Sequence, residues 1–247
     1  YCLGDDDRKR RYDQYGEQGV GTSAASEDQL KAAGGPGMGG FGGGASSRTR
    51  ALFMGGYKSP SRNEIDFNIF ASLGNSTDFG NLTEERGGTQ GAVSSSTRGI
   101  WGGGFEPSQV NKIEFVTIAT TANATDFGDL VQASRHDSGG CSNGVRGIIG
   151  GGNTGSSNHT NVIQFITIAS EGNATDFGDS DLEGQGMGAV SSSTRAVFGG
   201  RSKSGGVQNR IDYITIASTG NATDFGDMTT SLSRQNDGTS SAHGGLP

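Results

Sequence analysis

"NATDFGD" stands at Asn123–Asp129, again at Asn173–Asp179 and again at Asn221–Asp227, and a near copy, "NSTDFGN", runs from Asn75 to Asn81. The Phe residues of these copies, Phe79, Phe127, Phe177 and Phe225, are 48, 50 and 48 positions apart. A second marker keeps step with them: "SSRTRALFMGG" at Ser46–Gly56, "SSSTRGIWGGG" at Ser94–Gly104, "SNGVRGIIGGG" at Ser142–Gly152 and "SSSTRAVFGGR" at Ser191–Arg201. Between the markers lie "NEIDFNIFAS", "NKIEFVTIAT", "NVIQFITIAS" and "NRIDYITIAS". A fixed order of three segments, repeated four times, is a repeat architecture, and it has to be read before any single motif.

Asp-Phe-Gly is also the triplet with which a protein kinase holds magnesium. A kinase needs one such site, together with a His-Arg-Asp catalytic loop and a strand lysine in a Val-Ala-Ile-Lys context. Neither is present. "GGGNTG" at Gly150–Gly155 is not followed by the Gly-Lys-Ser/Thr of a phosphate cradle. The four triplets are therefore read as a structural element, with Phe as a packing residue and Gly allowing a bend.

Composition narrows the function further. Glycine reaches 46 of 247 residues and proline only 4, so the two make about a fifth of the chain, below the roughly 25–30% typical of structureless low-complexity sequence. Most of the glycine recurs at regular intervals, which marks turns. The net charge of −7 opposes a nucleic-acid partner, which needs clustered Lys and Arg. Cys2 and Cys141 are far apart, and His136, His159 and His243 lack metal-ligand spacing. No cofactor or metal is expected. No apolar run is long enough to span a bilayer, no secretion signal is visible, and a cytoplasmic protein is expected.

Each repeat reads as four short strands: a small-residue strand such as "GAVSSS" (Gly91–Ser96), a strand ending in a glycine cluster, the Ile/Phe/Thr-rich strand, and the Asp-Phe-Gly strand. In "IDYITIAS", Ile211 and Tyr213 share one face and Ile214 and Ile216 the other, so both faces should be covered by neighbouring sheets. Asn-Ala-Thr, which also has the form of a glycan acceptor at Asn123, Asn173 and Asn221, reads as the hairpin turn, as does Asn75; Asn158 has the acceptor form too. Four-stranded sheets recurring every fifty residues predict an all-β chain of β-propeller blades. The repeats span about 45–90, 91–138, 139–187 and 188–236, with the start of a fifth at 237–247.

The order of residues resembles the kelch repeat over about 41–247: Gly102–Gly103, then Phe115, Phe127 and Arg135, with counterparts in the other copies. It departs in having Phe in place of the second-aromatic Trp and in placing that Phe 12 positions after the first aromatic. The repeated arginine (Arg50, Arg98, Arg146, Arg195) and aspartate (Asp78, Asp126, Asp176, Asp224) are expected to serve every blade structurally. The aspartates either accept hydrogen bonds from loop amides or pair with the arginines.

Residues 1–44 lack the period. "DDDRKRRYDQYGEQGV" at Asp5–Val20, followed by "GPGMGGFGGG" at Gly35–Gly44, resembles the end of a DnaJ-type J-domain and its Gly/Phe-rich linker. A short helix followed by linker is expected there. The His-Pro-Asp tripeptide that such a domain uses on its chaperone partner is absent from these residues. The chain starts at Tyr1 rather than Met and ends in an incipient fifth repeat, so it reads as part of a longer product, and an open propeller would be prone to self-association.

The connections after each glycine cluster vary while the strands stay constant: "YKSPSR" (Tyr57–Arg62), "FEPSQV" (Phe105–Val110), "NTGSSNHT" (Asn153–Thr160) and "RSKSGGVQ" (Arg201–Gln208). Tyr57, Lys58, Phe105, Glu106, His159, Arg201 and Lys203 are the candidate binding residues. No catalytic residue is expected. The leading expectation is a non-enzymatic scaffold that binds a protein partner through these loops, attached to a J-domain co-chaperone as its client-selecting part. The alternatives are a virion or tail protein of a phage, whose kelch-like segments this repeat also resembles, and a propeller-based enzyme.

Overall fold

The computed structural model describes residues 43–57, 61–87, 90–105, 108–134, 139–155 and 158–231. The expected short helix, the J-domain-like stretch and the incipient fifth repeat lie outside the described residues, as does Arg135. The chain divides between Met38 and Gly39, and only the second unit is described below.

The described residues form no helix and four antiparallel sheets of four strands each, in a β-propeller-like arrangement. Sheet 1 is β1 (Gly43–Ser46), β2 (Arg50–Tyr57), β3 (Ser61–Ile69) and β4 (Thr77–Asn81). Sheet 2 is β5 (Gln90–Ser94), β6 (Arg98–Gly102), β7 (Val110–Thr117) and β8 (Thr125–Ser134). Sheet 3 is β9 (Gly139–Ser142), β10 (Arg146–Gly150), β13 (Val162–Thr167) and β14 (Thr175–Asp179), with a small hairpin, β11 (Asn153–Gly155) and β12 (Asn158–His159), inserted before β13. Sheet 4 is β15 (Gly188–Ser191), β16 (Arg195–Lys203), β17 (Gly206–Thr215) and β18 (Thr223–Asp227). The innermost strands touch in sequence, β1 with β5, β5 with β9 and β9 with β15; no comparable contact joins β15 back to β1.

The first turn of each repeat is made by a side chain that stands in for backbone. Ser47, Ser95 and Ser192 accept through Oγ from the amides two and three residues on. In sheet 3 Asn143 does this with Oδ1, at 3.0 Å from Val145 N and 2.8 Å from Arg146 N. These residue types imitate a turn because their short polar groups reach their own backbone.

Asp-Phe-Gly turns out to be a β-bulge. Ile65 pairs with Gly80 but Asp66 pairs with Asp78, leaving Phe79 as the extra residue, and the same shift recurs at Ile113/Glu114, Ile163/Gln164 and Ile211/Asp212. The aspartate closes the bulge from within: Asp78, Asp176 and Asp224 each accept from the glycine amide two residues on, at 2.9–3.1 Å. The extra residue bends and twists the strand, which turns each Phe against the aromatic of the third strand. Phe67–Phe79, Phe115–Phe127, Phe165–Phe177 and Tyr213–Phe225 are all edge-to-face at 5.8–5.9 Å. The glycine has a second task. A Cβ on Gly128 would lie 2.5 Å from the carbonyl of Gly172 in the next sheet, and one on Gly178 at 2.5 Å from that of Gly220.

Of the two roles open to the aspartates, the structure has the amide contact and not the pairing with the repeated arginines. Each guanidinium lies over the third-strand aromatic of its own sheet, Arg98 at 4.6 Å over Phe115 and Arg146 at 4.6 Å over Phe165. It then donates through Nη1 to a carbonyl of the next sheet: Arg50 to Ile118, Arg98 to Ile168 and Arg146 to Ile216, at 2.7–3.1 Å. In the opposite sense, Asn123, Asn173 and Asn221 use Oδ1 to accept the amides of Asn81, Asp129 and Asp179 of the preceding sheet, all at 3.0 Å. The turn asparagine is therefore a clasp between sheets. Buried serines add a third link, Ser142 Oγ to Ser94 O and Ser191 Oγ to Ser142 O.

The core consists of the layers between consecutive sheets. Trp101 of sheet 2 packs with Leu52, Met54 and Phe79 of sheet 1. Ile149 and Ile166 of sheet 3 pack with Ile100 and Phe127 of sheet 2, and Phe198 and Ile214 of sheet 4 with Ile148 and Phe177 of sheet 3. Among the described residues each end sheet has a neighbouring sheet on one face only: Phe53 and Phe225 are both 55% exposed, whereas Phe79, Phe127 and Phe177 are at most 3% exposed. Phe225 keeps the edge-to-face pair with Tyr213 but faces no following sheet among the described residues.

Candidate functional site

In a four-stranded meander, the second-to-third connection and the crossing to the next sheet emerge at one end, opposite the Ser/Thr and Asn turns. The glycine clusters open this end. Gly55, Gly103, Gly151 and Gly200 have φ of 59–78°, a left-handed conformation in which glycine carries no Cβ strain. In repeats 1 and 4 they shift the register of a ladder that then resumes, and in repeats 2 and 3 the strand ends before them, so four different connections follow.

In repeat 1 the strands continue to Tyr57 opposite Ser61; Lys58 lies outside the described residues, and Tyr57 is placed by its backbone alone. In repeat 2 Phe105 is half-buried and bridges Gly87 and Gln109, while Glu106 lies outside the described residues. Repeat 3 builds the β11–β12 hairpin, with Asn153 Oδ1 accepting from Gly155 N at 2.7 Å and half-buried His159 opposite Asn153. Repeat 4 extends as a continuous hairpin, with Arg201 opposite Gln208 and Lys203 opposite Gly206. The crossing segments brace all four connections: Arg86 against Gly56 and Arg62, Gly87 against Phe105, Gly184 against Gly152 and Thr160, and Gln185 against Ser202. The end is therefore a set of unlike loops on a common frame.

Arg201 does not belong among the exposed candidates. It is wholly buried, its Nη2 paired with buried Asp212 and its Nη1 donating to Leu182 O at 2.6 Å. Within β16 Gly199-Gly200 is followed by Arg201 where the other repeats have Gly56, Gly104 and Gly152, and this side chain turns inward to a carboxylate. Repeat 2 reaches the same end by another route. Arg86, in the crossing segment, lies against Gly104, pairs with buried Glu114 and donates to Gly103 O and Lys112 O at 3.0 and 3.2 Å. Glu114 also accepts Thr83 N at 2.9 Å. Repeat 3 has Gln164 at that position, which takes Val131 N at 2.7 Å without an arginine partner among the described residues. Arg86 was not singled out in the sequence because its partner is 28 residues away; the signal was the acid at 114 and 212 where repeat 3 has an amide.

These pairs are scaffolding. Each guanidinium is occupied by a carboxylate and a backbone carbonyl, so neither offers a free charge to a ligand. Arg210, more exposed, bridges Asp181, Asp212 and Asp224; its own pKa is raised above the ordinary value, the pull of Asp181 and its neighbours outweighing burial. Among the described residues no three His, Cys, Asp or Glu side chains gather closely enough to hold a metal ion. No helix among them is long and apolar enough to cross a membrane.

Cys141 is buried in the layer between sheets 3 and 4, and burial pushes its thiol up to about 12, against a smaller lowering by its hydrogen bond with Ser191. A thiol held neutral is a poor nucleophile. The folded-state value lies above the ordinary 9.0, so the stability linked to it is complete below pH 9 and is lost as pH rises toward 12, by at most about 1.4 kcal/mol per unit. Urea titrations at pH 8 and pH 10 should show this loss, and Cys141→Ala should remove that part of it. An identical pH dependence in the two chains would exclude Cys141 as the cause.

In fold, the chain is similar to YjhT. A solved structure of that protein superposes with a TM-score of 0.65 over 80% of this chain and 68% of its own, at 9% identity. The likeness is one of architecture. No family model matches the sequence, and no curated protein matches it.

Proposed function

We propose that the chain is a non-enzymatic protein-binding scaffold of kelch-like repeats, presenting the second-to-third-strand loops of its sheets to a protein partner. The observation that carries this reading is the contrast at the loop end. The frame below it repeats its bulge, its aromatic pair and its clasps from sheet to sheet, while the connections differ in length, charge and backbone form. Binding surfaces are commonly built this way, with variable loops held by rigid elements. Phe105, His159 and Lys203 remain the binding candidates among the described residues, with Tyr57, Lys58 and Glu106 from the sequence. A J-domain-like leader would make the repeats the client-selecting part of a co-chaperone.

The test is a loop exchange that spares the frame. Connections 57–62, 105–110, 153–160 and 202–207 are replaced by Gly/Ser segments of equal length, with Arg201 retained. Cross-linking mass spectrometry on lysate then compares the proteins captured by the two chains. Partners captured by the native chain should be lost from the exchanged one at unchanged thermal stability. Equal capture by both would place recognition elsewhere and end this assignment.

A further inference from the structure

The crossing segment between sheets 3 and 4 holds a loop on each side. Gly184 faces the third connection, accepting from Gly152 N at 2.9 Å and donating to Thr160 O at 3.2 Å. Gln185 faces the fourth, donating to Ser202 O at 2.9 Å and accepting from Ser202 N at 2.8 Å. Consecutive residues of an extended chain turn their backbone groups to opposite sides, so two residues suffice to join two loops. The segment is itself fixed in place: Gln185 is 4% exposed, Arg201 Nη1 donates to Leu182 O at 2.6 Å, and a Cβ on Gly184 would lie 2.9 Å from the Arg201 side chain. The side chain of Gln185 then adds a bond across the segment. Its Oε1 accepts from Asn153 Nδ2 at 2.9 Å, and Asn153 Oδ1 accepts from Gly155 N at 2.7 Å. A continuous series of hydrogen bonds thus runs from the β11–β12 hairpin, through the side chains of Asn153 and Gln185, to Ser202 in the β16–β17 hairpin. The crossing between sheets 1 and 2 has the same backbone arrangement, Arg86 with Gly56 and Arg62 and Gly87 with Phe105. There Gly87 has no side chain to extend it.

We propose that the third and fourth connections form one coupled surface, with Gln185 as the residue that positions each loop by the other. His159 and Lys203, one from each hairpin, then meet a partner together rather than as separate sites. Contact at one loop firms the other, and the coupling acts equally in both directions. This use of the surface rests on the binding role proposed above; the link between the loops does not. Adjacency in a hydrogen-bond series is only a route for coupling, and a measured response at the far loop is what establishes it. The free chain, with no partner present, is therefore the right sample.

Gly155→Pro removes the amide that Asn153 accepts and loosens the β11–β12 hairpin. Hydrogen–deuterium exchange, read by mass spectrometry, should then quicken by about fivefold or more over Ser202–Gln208 as well as in the third connection. Connection 57–62 should be unchanged. Gln185→Met keeps the length of the side chain and both backbone bonds to Ser202 but removes the acceptor. Relative to Gln185→Met alone, adding Gly155→Pro should quicken exchange in the third connection only. Gln185→Glu retains an acceptor and should leave the spread to Ser202–Gln208 intact, which separates the side-chain bond from mere filling of space. A response to Gly155→Pro confined to the third connection overturns the proposal. So does one equal in all four connections, a spread that survives Gln185→Met, or a spread lost in Gln185→Glu. Failure of the link shows in exchange whatever the loop replacements do to capture; unchanged capture would instead overturn the use of the surface in binding.

Discussion

Glu114→Leu is expected to cost about 3–5 kcal/mol of stability, because it strands the Arg86 guanidinium inside the protein. Arg86 is 1% exposed and Glu114 fully buried, so no water reaches the charge once the carboxylate is gone. Gly103 O and Lys112 O remain as acceptors, but neither is charged. Glu84, 3.2 Å away and half exposed, offsets little. Exposed pairs are typically worth under about 1 kcal/mol.

Arg86→Met with Glu114→Leu should recover most of that loss. What remains is chiefly the unpaired Thr83 amide, about 1–3 kcal/mol for a buried donor. Urea denaturation of the two single variants and the double variant gives the coupling directly. A loss below about 1 kcal/mol for Glu114→Leu alone would mean the pair is not sealed from water. Repeat 3 already lacks the carboxylate, with Gln164 accepting the equivalent amide of Val131 in β8, so the frame does not require a charge here. What it requires is that a buried arginine have an acid beside it, as Arg86 and Arg201 do.

Phe177→Ala should destabilise the chain by about 3–5 kcal/mol, the usual cost of emptying a buried aromatic site, whereas Phe225→Ala should cost under about 1.5 kcal/mol. The two residues occupy the same bulge position and make the same edge-to-face pair, with Phe165 at 5.9 Å and Tyr213 at 5.8 Å. What differs is the next sheet. Phe177 is 2% exposed beneath Ile214 and Ile216, while Phe225 is 55% exposed. The gap between the two variants therefore measures coverage by a following sheet, with the within-sheet pair subtracted. Thermal denaturation of the two variants gives both losses. Equal losses at the two positions would show that the bulge Phe acts only inside its own sheet.

The sequence made the repeat, its four-strand composition and its antiparallel hairpins legible because those depend on local spacing. Alternation, β-branched residues and glycine-bearing turns occur within a dozen residues of one another. The two aromatics of each repeat could be seen as a pair, and they meet in every sheet. The bulge could not be read: "TDFGD" has the look of an ordinary short strand, and its extra residue emerges only from the register against the third strand.

The roles of the charged groups were the least legible. The aspartate could equally have met the arginine or an amide, and the choice of amide rests on the bulge bringing the glycine N–H within 3.1 Å. Arg201 looked like a loop cation from its place after Gly-Gly, but strand β16 carries it inward to Asp212. The loop end was marked in the sequence by variability, yet only the hydrogen-bonded crossings show which loops are braced. By itself the sequence determined a series of like sheets with both faces apolar, because a pleated strand exposes its alternate residues to whatever lies on each side. The tertiary structure decided which groups clasp one sheet to the next, since those contacts join residues some 42–70 positions apart, a separation at which no local pattern selects the partner.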